Sequence, residues 1–367
     1  MSFEEQVAPA LELAAKHAAE VDREGRFPEE AIGALRDAGM LGLTLPTTVG
    51  GLGGTPADFL AATRAMASRC ASTAMIFLMH VCAAQVTLAG KGDDADELRA
   101  VADGSNLSTL AFSERGSRSH FWAPVSQLAG SRLSAQKSFV TSAGHANSYV
   151  VATRSVDAET PTDSSLYLVP ASTAGIETKG SWLGLGLRGN ASAPMTFDVE
   201  VSDGMLLGEA GKGFDLMLGV VLPWFQLGSG AVSVGIAEGA MGATVAHVTS
   251  AKLEHLDQTL ADLPTVRGRI GRARTEVDTV AGFLADVARR MGEGDPTVPI
   301  LSAKASANEM AIRVTSEAMQ ACGGAAMSSS LPLERFFRDA RAGSVMAPTT
   351  DVLYELTGRA LAGMPLM

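Results

Sequence analysis

Gln320-Ala321-Cys322-Gly323-Gly324, then Pro332-Leu333-Glu334-Arg335, then Arg338-Asp339-Ala340: the fold is read outward from these three short runs. Upstream of the glycines, Ala307, Met310, Val314, Ala318 and Ala321 recur at three- and four-residue steps. That spacing predicts a helix over about 298–321 with one apolar stripe turned toward a helical bundle. Gly323 and Gly324 follow it where a C-cap with positive φ is needed. Arg338 and Asp339 read as structural ion pairs joining helices. Further back, helical periodicity covers about 214–249 and 263–291, and beyond Pro348 a last helix is expected over about 350–362.

Before residue 206 the texture changes. Leu110–Phe112, Ser138–Thr141, Ser148–Thr153, Ser165–Val169 and Met195–Val201 are short β-type runs separated by turn residues. Ahead of them, from Phe3 to about Leu110, the pattern is mainly helical, interrupted at Gly50-Gly51-Leu52-Gly53-Gly54, where glycines favour a loop. The predicted class is α+β: an N-terminal helical domain (1–107), a middle β domain (108–205) and a C-terminal helical bundle (206–367).

The 367 residues, 46% hydrophobic and 19% charged, supply ample material for packed cores. A net charge of −11 without a long Lys/Arg cluster argues against nucleic acid. Cys70, Cys82 and Cys322 form no CxxC pair and suit a reducing cytoplasm. The acidic start MSFEEQVAPA lacks the form of a signal peptide, and the longest apolar runs read as broken by Gly, Ser or charge before they could span a bilayer. No membrane segment and no metal site are expected.

Five segments in order resemble the acyl-CoA dehydrogenase family. They are Phe27-Pro28-Glu29-Glu30 through Gly50-Gly51-Leu52-Gly53; Ala111-Phe112-Ser113-Glu114-Arg115-Gly116-Ser117-Arg118-Ser119-His120; and Lys137-Ser138-Phe139-Val140-Thr141-Ser142-Ala143. Then come Leu185-Gly186-Leu187-Arg188-Gly189-Asn190 with Leu207-Gly208-Glu209-Ala210-Gly211-Lys212-Gly213-Phe214, and the runs quoted at the outset. The second is similar to the family's T-E-P-G-x-G-S-D loop, the third to its K-x-W-I-T-N-A strand, and the last to its Q-x-x-G-G … P-x-E-R-x-x-R-D-A signature. The resemblance implies two helical domains flanking a β domain, a homo-oligomer (tetramer or dimer), and FAD, with FMN as the alternative because the family's pyrophosphate-binding Arg and Gln lack clear counterparts. It also implies flavin contacts at Ser113, Ser119, Phe139, Thr141, Gln320, Gly323, Gly324 and Thr349.

The family oxidises an acyl thioester, using a Glu to take the α-proton while hydride leaves the β-carbon for the flavin. Its two usual positions for that Glu correspond here to Ala347 and Phe225. If dehydrogenation is the activity, Glu114, Asp351 and Glu355 are the nearest carboxylates in sequence. A reduced-flavin monooxygenase of the same fold, supplied by a partner reductase, needs no such base, and His80 or His120 could then serve it. A third reading is a catalytically inactive flavin-binding or partner subunit.

Overall fold

The computed structural model describes residues 3–117, 123–294 and 296–366. It divides the chain into two compact units: residues 1–59, 75–183 and 188–225 in the first, and 60–74, 184–187 and 226–367 in the second.

The first unit begins with α1 (Phe3–Glu24) packed on α2 (Glu29–Asp37). Arg26 ties the turn between them, donating to Glu20 and to both carboxylate oxygens of Glu30 at 2.8–2.9 Å. In the glycine loop that follows, Gly51 N–H donates to Pro46 O and Gly54 N–H to Leu43 O. A Cβ on Gly51 would lie 2.3 Å from Leu45 O. The loop's glycines therefore let the chain fold onto its own residues 43–46, a local reason that accounts for them without a ligand. α3 (Pro56–Ala67) belongs from Leu60 onward to the second unit, while α4 (Ala71–Lys91), from Met75 onward, and α5 (Asp96–Ala102) follow in this unit.

The β region has two sheets. Parallel β1 (Ser108–Ala111) and β3 (Ser148–Arg154), then antiparallel β4 (Ser164–Pro170) and β7 (Leu206–Leu207), form the order β1-β3-β4-β7. β2 (Arg132–Val140), β6 (Ala193–Glu200) and β5 (Ile176–Thr178) form an antiparallel second sheet, β2-β6-β5. Leu133, Ala135, Met195, Phe197 and Val199 from the second sheet share a core with Tyr149, Val151, Tyr167 and Val169 from the first. This is the period-2 alternation of strands buried on one face. Expected strand 138–141 is the end of a longer strand that starts at Arg132, and β5 and β7 went unseen because each has only two or three residues.

α6 (Gly213–Leu216) runs through a π turn at Met217–Val221 into α7 (Leu222–Ser250). In the second unit α9 (Thr297–Cys322) packs against α8 (Pro264–Arg290), α10 (Leu333–Val345) and α11 (Thr350–Leu361), and Ser233 ties α7 to α9 through Asn308. Small residues permit close approach: a Cβ on Gly235 would lie 2.3 Å from Arg64 O, and one on Gly230 2.7 Å from Leu284. Arg64 also pairs with Glu238. The long helices stand within a residue or two of their expected limits; α10 was read only for its charged residues.

One expectation needs correcting. The helix Ala71–Lys91 and the helical run Gly213–Ser250 are long and apolar enough to cross a membrane, but 72% and 78% of their most apolar windows are buried inside the protein. Gly and Ser do not interrupt either one, since a helix enclosed by other helices tolerates them; they are core helices.

Candidate functional site

Strand β2 makes one side of the site in the first unit. Its pairing with β6 is regular from Arg132 to Lys137 and resumes at Val140 after an irregularity. Inside that bulge Phe139 has φ +56°, and Ser142 just beyond has φ +59°. A bulky residue at positive φ is strained, and such strain concentrates where geometry serves a ligand. The bulge turns Phe139 outward: it is 64% exposed, while Lys137 and Val140 on either side are buried. Trp182 meets it edge-to-face, ring centroids 6.1 Å apart at 83°. Trp182 escaped the sequence reading; a lone aromatic in a Gly/Leu loop was the available signal.

Ser113 lies alongside, its carbonyl accepting the Ser138 N–H at 2.8 Å. Thr141 is buried, with its hydroxyl 3.1 Å from that of Ser192. The structure thus brings Ser113, Phe139 and Thr141 together at one end of the β region. Ser119 and His120 lie outside the described residues.

Glu114 and His80 have internal bonding in place of the catalytic parts weighed for them. The Glu114 carboxylate accepts the Val125 and Ser126 N–H groups at 2.8 and 2.7 Å, the Ser126 hydroxyl at 2.6 Å and the Lys137 ammonium at 2.5 Å. Lys137, fully buried, also donates to Ala152 O at 2.5 Å. Burial alone would raise the Glu114 pKa; Lys137 and Ser126 outweigh it and hold the carboxyl below its usual range. A carboxylate so saturated has no lone pair directed at a substrate.

His80 is fully buried on α4, with Nε2 2.9 Å from Leu41 O and Nδ1 accepting the Ser108 N–H at 3.0 Å. Burial pushes its pKa down to about 4 against backbone bonds that raise it. Folded protein therefore binds this proton more weakly than unfolded protein. The stability His80 confers is whole above about pH 6.5 and shrinks as pH falls toward 4, by on the order of 3 kcal/mol. Urea unfolding of wild type and His80→Gln from pH 7 to pH 4 should show that extra slope in wild type alone; parallel curves would refute it.

The second unit carries the other candidates. Gly323 ends α9 at φ +59° as its C-cap, and Gln320, Gly323 and Gly324 are exposed. Thr349 is the N-cap residue of α11, yet its side chain makes no capping bond. Asp351 and Glu355 are exposed on α11, and Glu355 pairs with Arg359 at 3.4 Å. Ala347 lies in the short connection between α10 and α11. Arg338 pairs with Glu334 within α10 and donates to Leu185 O at 3.0 Å, while Asp339 accepts the Leu187 N–H at 2.7 Å. Through these bonds the two residues hold the segment 185–187. A Cβ on Gly186 would lie 2.7 Å from Arg338 O, so only glycine fits beneath them. No cluster of three metal-ligating side chains occurs among the described residues.

Helices, a two-sheet β region and a helical bundle define the α+β class of this protein. Sequence models of the acyl-CoA dehydrogenase N-terminal, middle and C-terminal domains match residues 4–101, 109–199 and 211–362. The chain belongs to the acyl-CoA dehydrogenase family and is an oxidoreductase of that flavoprotein class. It is 26% identical to the probable acyl-CoA dehydrogenase FadE25 of Mycobacterium tuberculosis over 98% of this chain and 92% of that protein. In fold it is similar to butyryl-CoA dehydrogenase from Megasphaera elsdenii (22% identity, TM-score 0.89, 98% of each chain). It is equally similar to FMN-bound TdsC from a Paenibacillus species (24% identity, TM-score 0.89, 99% of this chain and 98% of that one).

Proposed function

We propose that this protein is a flavin-dependent oxidoreductase that oxidises an acyl thioester between its α and β carbons. The observation that carries the flavin assignment is Phe139, held at positive φ and 64% exposed beside Trp182. An outward aromatic face beside the Ser113 main chain, two residues before Thr141, fits a flat ring system. Bound flavin would supply the hydride acceptor. Phe139 would cover one face of the ring, and Ser113 and Thr141 would donate to its polar edge; family resemblance implies flavin contacts at Ser119, Gln320, Gly323, Gly324 and Thr349 as well. FAD is the proposed form, with FMN the alternative. The acyl-CoA dehydrogenases among the relatives, FadE25 included, support the thioester substrate.

The second reading, a reduced-flavin monooxygenase of this fold, is favoured by one observation: Ala347 and Phe225 occupy the family's base positions, and the Glu114 carboxylate is fully engaged. A catalytically inactive flavin-binding subunit ranks third. A homo-oligomer, an electron acceptor or a flavin reductase as partner, and a cytoplasmic location complete the proposal. The test is anaerobic mixing of the purified flavin-loaded protein with acyl-CoAs. Bleaching of the flavin absorbance is expected; persistent oxidised flavin, with oxygen-dependent product only when a reductase is added, would transfer the assignment to the second reading.

A further inference from the structure

The second unit contains a buried polar clamp that family resemblance did not suggest. Lys304 and Asn308 stand four residues apart on one face of α9, and both are 0% exposed. The Lys304 ammonium donates to Met346 O at 3.0 Å and to Pro348 O at 2.9 Å, so it holds the connection between α10 and α11 at two points. Asn308 Nδ2 donates to Gly343 O at 2.9 Å and lies 3.3 Å from Thr350 Oγ1, gripping the connection from both sides. Ser233 on α7 donates to Asn308 Oδ1 at 3.0 Å and fixes which way the amide faces. A Cβ on Gly343 would stand 2.4 Å from Asn308 Oδ1, so the clamp closes only over glycine.

This arrangement is expensive as a means of stability. A buried ammonium loses its hydration, and burial pushes Lys304 down to about 7. An apolar side chain of similar length would fill the space without that cost. The ammonium does provide two directed, charge-assisted bonds that fix main-chain carbonyls. Between those carbonyls and the first residue of α11 stands Thr349, an N-cap threonine whose hydroxyl makes no bond to its own helix.

We propose that Lys304 and Asn308 are positioning residues that lock the main chain of residues 346–350 so that the Thr349 hydroxyl is presented to the flavin. The inference rests on the flavin reading above and goes beyond it by assigning two residues that touch neither cofactor nor substrate. Lys304→Met removes the donors and keeps the volume. Val277→Ala, at a fully buried position of α8, serves as the control for a general loss of stability.

Two readouts separate the parts of the proposal. Hydrogen exchange of the amides in 346–350, measured without flavin, should accelerate about tenfold or more in Lys304→Met and not in Val277→Ala. In holoprotein, Lys304→Met should weaken flavin binding about tenfold and shift the visible spectrum of the bound flavin. Thr349→Val should reproduce the flavin effects with exchange unchanged. Should Lys304→Met fail to fold, Asn308→Ala tests the same clamp. Unchanged exchange overturns the clamp. Faster exchange with flavin affinity and spectrum at control values overturns the positioning role and leaves only a structural one. Wild-type protein that takes up neither FAD nor FMN overturns the flavin reading and the role of Thr349 with it, while the exchange readout still decides whether Lys304 holds the connection.

Discussion

Replacing Lys137 by Met is expected to destabilise the protein by about 3–5 kcal/mol at pH 7, the cost of removing one partner from a buried ion pair. The side chains of Lys137 and Glu114 are 0% and 4% exposed, so no solvent compensates for the missing ammonium. Glu114 keeps its bonds from Val125 and Ser126, but a carboxylate at that depth without a cation is raised in pKa by burial. The sign of the pH effect follows. In wild type the folded pKa of Glu114 is depressed, so its contribution is present above the unfolded value of about 4.3 and is lost as pH falls through the folded value. In Lys137→Met the lowering by the cation is gone while the raising effect of burial stays, so the variant loses less stability than wild type as the carboxyl protonates. The gap between the two proteins should therefore narrow as pH drops from 7 to below 4. Urea denaturation at both ends of that range measures it, and a deficit under about 1 kcal/mol at neutral pH would show that the pair contributes little.

The same pair shows where sequence reading stops. The long helices were readable because three- and four-residue spacing survives in sequences such as Ala307, Met310, Val314 and Ala318, and glycine marks their ends. Strand β2 was half hidden because its inward positions include Lys137, which breaks the apolar alternation that identifies a strand. Its partner, Glu114, lies 23 residues away, and no local pattern links them. Glu114 therefore looked like a candidate base when it is a buried strut. Phe139 was identified by resemblance, but its positive φ is a tertiary consequence of the bulge and leaves no local signature. His80 and Lys304 are alike in this respect: a polar residue on an apolar helix face can be catalytic or bonded internally, and only the surrounding carbonyls and N–H groups decide.

Ala347→Glu is expected to accelerate reduction of the bound flavin by acyl-CoA by about 10²-fold or more, the usual contribution of a positioned general base. The residue sits between Met346 and Pro348, whose carbonyls are both held by Lys304, so a side chain introduced there is delivered from a fixed main chain. By family resemblance this is where the α-proton acceptor stands. A glutamate carboxylate would accept the α-proton and become a neutral carboxylic acid, whereas Ala347→Gln, equal in size, has no such base and should stay at the wild-type rate. That contrast separates proton removal from a change of pocket volume. Phe225→Glu tests the family's other position in the same way. The two readings of function diverge sharply here. If the protein removes an α-proton, however slowly, one of these carboxylates should raise the rate with a pH profile rising through the new carboxyl's pKa. If it works with reduced flavin and oxygen, neither will speed bleaching by any acyl-CoA, because the bottleneck is then not a missing base. Stopped-flow absorbance under anaerobic conditions, with the Gln variant beside each Glu variant, distinguishes these outcomes.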